Sequence, residues 1–186
     1  MARSLKKLIA AVFCLVLLFE LSSCSVNTKS AEQTGFSMGS LVGIKLYGKN
    51  SEALENANLL AEVVKTDERI SKNYEGSDIY RVNSSGEHGE TMSSETYDEL
   101  RTVCDVYSES HGKAAVLSGA LTELWGFDTD DFRLPSEDEI LSAKEKCGDD
   151  KLIFGDGKKV YIPDGAKLNL GSAGKGIAPV SYTHLR

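Results

Sequence analysis

The chain has 186 residues and a formal net charge of −7. That length suits one domain with a real core and is short for two, and the acidic balance excludes a nucleic-acid binder held by bulk positive charge. Its four cysteines and three scattered histidines, His88, His111 and His184, exclude a disulfide scaffold and show no zinc-ligand spacing.

At the amino terminus, Arg3, Lys6 and Lys7 precede an apolar run over residues 8–19, and Leu21, Ser22, Ser23 and Cys24 follow. Charged, apolar and small residues in this order predict a secretory signal over residues 1–23, with an apolar part too short to span a bilayer comfortably. The small residues ending at Cys24 resemble the lipobox of bacterial lipoproteins. On that reading Cys24 is the lipidated first residue of the mature chain, which sits on the outer face of the cytoplasmic membrane. An ordinary signal peptide with an incidental Cys is the alternative, and Glu20 inside the boundary favours it. Cys14 leaves with the signal, so only Cys104 and Cys147 remain in a compartment that permits disulfides.

Residues 24–34 predict a polar tether, with the fold beginning at residue 35. Val42, Ile44 and Leu46 predict a strand over residues 41–47, left by the turn Gly48, Lys49, Asn50. A core helix is expected from Ser51 as N-cap, with Leu54, Ala57, Ala61 and Val64 recurring at spacings of three and four. Residues 70–83 are less regular; Tyr74, Gly76, Ser77 and Asp78 predict a loop that carries exposed groups.

A second amphipathic helix is expected over about residues 94–110, stopped at Gly112. Cys104 falls there among Tyr97, Leu100 and Tyr107, the environment of a buried free thiol. A small-residue stretch over residues 113–120 leads into residues 121–127, which hold Trp125, the single Trp and by its type a core residue. Pro135, Ser136 and Glu139 give the signals of a capped helix running to about Cys147.

Residues 151–154 and 159–162 flank Gly155, Asp156, Gly157 and Lys158, a strong hairpin signal. After a turn at residues 163–165, Leu168 and Leu170 predict a strand adjoining that hairpin. Helices, hairpin and strands without regular alternation predict an α+β fold, with a mixed, largely antiparallel sheet and packed helices.

Past that strand, Gly171, Gly174 and Gly176 remove Cβ atoms beside Lys175, so that backbone amides can approach an anionic ligand. The spacing is not that of a P-loop, because Asn169 stands where a Gly is required and Gly176 follows Lys175. Taken alone, the segment is equally a glycine-rich turn from strand to helix. An acidic body that binds a phosphorylated ligand needs local amides, a few cations or a divalent metal, and Lys175 and Lys113 are the cations available.

Four segments in order resemble the ApbE family, the FAD:protein FMN transferases. They are Phe36 to Ser40 (FSMGS), the stretch over residues 70–83 that begins ISKNY and ends SDIYRVN, LTELWGF over residues 121–127, and LNLGSAGKG over residues 168–176. The resemblance covers residues 35–178. It implies a magnesium-dependent reaction in which the FMN half of FAD passes to a Thr or Ser hydroxyl of a partner flavoprotein and AMP is released. It implies flavin or adenine contacts at Met38 and Tyr74, whose residue types would otherwise read as packing and a surface Tyr.

Asn169 stands where the family usually has Asp, Ser172 falls at a metal-contacting position through its backbone oxygen, and Lys175 at a cofactor-contacting one. Counting back from Trp125, Lys113, Ala114 and Ala115 occupy the cofactor-contacting stretch where the family usually reads Phe-Asp. The family continues beyond its glycine motif with further Asp and Thr or Ser residues, so the resemblance implies an amino-terminal part of a transferase, inactive alone, ending in an aberrant tail over residues 179–186. A non-catalytic flavin-binding or solute-binding lipoprotein is the rival reading, favoured by Asn169 and Ala115.

Overall fold

The computed structural model describes residues 28–50, 58–127 and 129–183, with side chains through residue 179. They fall into two compact units, one holding residues 28–33 and 44–50, the other residues 34–43 and 58–183. Among them, no helix is long and apolar enough to cross a membrane. The signal sequence and Cys24 lie outside the described residues.

Strand β1 (Lys29–Ser37) pairs with β2 (Ser40–Gly48). Met38 and Gly39 join them with φ of 50° and 66°, the left-handed backbone that a two-residue hairpin turn requires. Residues 29–34, expected in the tether, are therefore strand. The smaller unit consists, in its described part, of the hairpin's two free ends; the turn belongs to the larger unit.

In the larger unit, α1 (Leu59–Ile70) buries Val63, Thr66 and Ile70. The buried stripe is thus offset from the predicted Ala61 and Val64, which are half-buried, while Leu54 and Ala57 lie outside the described residues. Residues 70–83 are only partly a loop, because α2 (Asp78–Ser85) begins inside them. Ser77 explains the start: its Oγ accepts from the Tyr80 amide at 2.8 Å and donates to the Ser71 carbonyl at 2.5 Å. Fully buried Ile79 and Val82 then anchor one face.

After β3 (Glu90–Thr91), α3 (Ser94–Glu109) runs as expected, with Ser93 as its cap. Cys104 is free and half-buried on it. The short α4 (Gly119–Trp125) leaves Trp125 half-buried, stacked on exposed Phe127 at 5.9 Å, so the single Trp is not a core residue. Helix α5 (Glu137–Lys144) carries the full capping box between Ser136 and Glu139 and ends three residues before Cys147, which the following turn reaches.

Strands β4 (Ile153–Phe154) and β5 (Lys159–Tyr161) pair antiparallel, Phe154 opposite Val160, across the predicted turn. Strand β3 takes the other edge of β5. Residues 167–170 do not join this sheet as expected.

They run extended and are held otherwise. The Asn83 side chain brackets Leu168, its Oδ1 accepting from the Leu168 amide at 2.7 Å and its Nδ2 donating to the Leu168 carbonyl at 2.9 Å. On the other side the Asn169 amide donates to Val116 O, and the Gly119 amide to Lys167 O, each at 2.8 Å. Gly119 is required there, since a Cβ would stand 2.7 Å from that of Lys167. Helix α6 (Gly171–Thr183) follows and passes through Pro179 into the expected tail. Leu100, Leu117, Val160, Leu168 and Leu170 fill the core between these elements. The architecture is α+β, with small antiparallel sheets and packed helices.

Candidate functional site

A cleft of about 680 Å³ opens between α3, residues 113–118 and the first turns of α6. Val103 and Val106 come from α3, Lys113, Ala114 and Ala115 from the small-residue stretch, and Ser172, Ala173, Gly176 and Ile177 from α6. Its walls are mainly apolar, as suits a planar ring system with a few polar contacts. Lys113 is exposed at this cleft. Glu99 also lines it, but Arg69 holds that carboxylate in a two-pronged ion pair at 2.7 and 2.8 Å and reaches Thr96 Oγ1 at 2.8 Å as well.

Behind residues 113–118 lies Asp149, 5% exposed. Its Oδ1 accepts from the Leu117 amide at 2.7 Å and its Oδ2 from the Val116 amide at 3.1 Å, fixing the wall that carries Ala114 and Ala115. Burial pushes this carboxyl above its ordinary value, against the pull of the two amides.

The glycine segment divides into three roles. Asn169 caps α6: Oδ1 accepts from the Gly171 amide at 2.9 Å while Nδ2 donates to Thr122 Oγ1 at 3.1 Å. Gly174 serves packing, since a Cβ there would stand 3.2 Å from Ile70 Cδ1 and 3.9 Å from Met38 Sδ. Gly176 faces the cleft. Of the residues singled out in the sequence, Lys113, Ala114, Ala115 and Ser172 meet in this cleft. Met38 does not line it, but packs on the core as Ala173 does. Tyr74, half exposed, lines a separate hollow of about 350 Å³ with Lys65, Arg69 and Asp78. Asn169 and Lys175 are not among the lining residues of the cleft, and Lys175 is exposed on α6.

Magnesium requires several oxygen ligands. Ser172 sits at the cleft, yet the described residues contain no cluster of three or more acidic, His or Cys side chains that could hold a metal, and Glu99 is committed to Arg69. This donor set does not fit a magnesium ion by itself.

A sequence profile described as the ApbE family matches residues 38–180. The chain belongs to the ApbE family. Solved ApbE structures share its fold. The crystal structure of the ApbE protein from Thermotoga maritima aligns with a TM-score of 0.77 at 25% identity, covering 83% of this chain and 52% of that one. The apo form of the flavinyl transferase ApbE of Pseudomonas stutzeri aligns at 0.69 and 24% identity, over 85% of this chain and 53% of that one. The flavin transferase ApbE from Vibrio cholerae aligns at 0.69 and 20% identity, over 85% and 53%. This chain therefore spans about half the length of the solved ApbE proteins it matches. No curated protein gave a match.

Two carboxylates that hold distant backbone amides, Asp149 and Asp67, escaped the sequence reading, and a third, Asp78, was read as part of an exposed loop but is buried. Asp78 stood in the predicted loop, and the pair Ser77–Asp78 was the available cap signal. Asp149 and Asp67 act through contacts 32 and 29 positions away, for which the sequence carries no local signal.

Proposed function

We propose that the cleft binds FAD, and that this chain supplies one wall of an FAD:protein FMN transferase site. The convergence of the stretch Lys113, Ala114 and Ala115 with Ser172 on one mainly apolar cleft carries the reading, because Ser172 lies far along the chain from that stretch and all four fall in the family-matched region. Lys113 offers a cation at the cleft, and the start of α6 favours an anionic group such as a pyrophosphate.

In the proposed reaction the hydroxyl oxygen of a Thr or Ser on an acceptor flavoprotein bonds to the FMN phosphorus. The bond from that phosphorus to the bridging oxygen breaks, AMP leaves with the oxygen, and the hydroxyl proton is released. Magnesium dependence belongs to this proposal; with the donor set described above, no step is assigned to the ion. Lipid anchoring at Cys24, with the domain outside the cytoplasmic membrane, is likewise proposed, and Cys24→Ala should release the protein from the membrane fraction.

Titration with FAD, followed by flavin fluorescence, tests the reading. Saturable binding that Ala115→Trp abolishes is expected; a chain that does not bind FAD overturns it. Incubation of the protein completed to the length of the solved ApbE proteins with FAD, magnesium and an acceptor flavoprotein then separates two readings. A fluorescent acceptor band on a denaturing gel, lost on chelation, supports transfer. Binding without labelling supports a non-catalytic flavin-binding module, a reading favoured by the commitment of Glu99 to Arg69 and of Asn169 to its own helix.

A further inference from the structure

One oxygen of Asp67 on α1 holds the hairpin turn. Its Oδ2 accepts from the Met38 amide at 2.6 Å and from Ser37 Oγ at 2.9 Å. Both bonds are made to a carboxylate, and the first acts on a residue whose φ of 50° is unfavourable for any side chain larger than glycine's hydrogen. The turn so fixed aims Met38 at α6, where its Sδ lies 3.9 Å from the point a Cβ on Gly174 would occupy. Met38 packs on the same core as Ala173, and Ala173 lines the cleft.

We propose that Asp67 is a positioning residue for ligand binding: it fixes the Met38 turn against the glycine-rich helix and thereby sets the affinity of the cleft for FAD. The inference rests on the FAD reading above. Asp67 touches no ligand itself. Its carboxylate compensates the strained turn, and the Met38 thioether, adaptable in shape, transmits that placement to the helix that forms the cleft wall.

A double-mutant cycle on FAD affinity tests it, using the whole chain, Asp67→Ala, Met38→Ala and the pair. Asp67→Ala is expected to weaken FAD binding about tenfold, and to add nothing once Met38 is already Ala. A penalty of equal size in both backgrounds marks a general structural role and overturns the proposal. Unchanged affinity in Asp67→Ala, with wild type binding FAD, overturns this inference alone; wild type that does not bind FAD overturns the FAD reading and the inference together. Asp67→Asn keeps one neutral acceptor and carries the test if the Ala variant does not fold. In that variant, faster hydrogen exchange at the Met38 amide and FAD affinity between wild type and Met38→Ala are expected. Exchange and affinity equal to wild type overturn the proposal.

Discussion

Asp78 Oδ2 accepts from the Thr96 hydroxyl at 2.5 Å, at a point where Thr96 is wholly withdrawn from solvent. The same carboxylate takes the Ser93 hydroxyl at 2.6 Å and amide, and Arg81 at 2.6 Å. It therefore ties the first turn of α2 to the first turn of α3. Asp78→Ala removes the acceptor shared by the Ser93 and Thr96 hydroxyls and the Ser93 amide, with Thr96 buried, and a loss of about 3 kcal/mol in urea unfolding is expected.

The two buried aspartates respond to pH with opposite sign. Burial pushes the Asp78 carboxyl up, but the bonds from Ser93 and Thr96 and the Arg81 charge outweigh it, and its folded value is lowered. Its contribution is present above the unfolded value of about 4 and is lost as pH falls through the lowered folded value. For Asp149, burial raises the folded value, so its effect is most favourable below the unfolded value and declines as pH rises through the folded one. Urea midpoints measured from about pH 3 to pH 8 should show a flatter acid limb in Asp78→Asn, and a smaller decline above pH 4 in Asp149→Asn.

Burial, with Asp149 and Asp105 nearby, pushes the Cys104 thiol up to about 12. Cys147 is also raised by burial. Both are expected to resist iodoacetamide at neutral pH in the folded protein and to react in urea, as peptide mapping by mass spectrometry would record. Rapid native labelling of Cys104 would contradict its half-buried setting on α3.

Asn169→Asp keeps the oxygen that accepts from Gly171 and places a negative charge at the start of α6, while Thr122 loses its donor. Stability is expected to stay within about 1 kcal/mol of wild type, whereas Asn169→Ala should cost about 1 kcal/mol through loss of the cap.

Local signals carried much of the fold. The capping box at Ser136, the Asp-Gly turn and the spacing along α3 each depend on residues within a few positions, and each element stands where its signal fell. Residues 167–170 did not, because alternation of Leu168 and Leu170 reports two buried side chains and not which edge is free to pair. The site was legible in part for the same reason. Small residues at 114 and 115 mark a wall, but nothing adjacent to Asp149 or Asp67 signals the distant amides they hold. The glycines were likewise ambiguous, since close approach by a neighbouring helix and close approach by a phosphate both require a missing Cβ.

The bracket that Asn83 places on Leu168 spans 85 positions of chain. During synthesis, α2 must therefore wait with its amide hydrated until nearly the whole described chain has emerged. The wall of the cleft that follows Leu168 is then set by a late, long loop closure, and not by local folding around the glycines. A nascent chain stalled before Leu168 would present α1 to α3 without the start of α6, and so without the cleft that a ligand would protect.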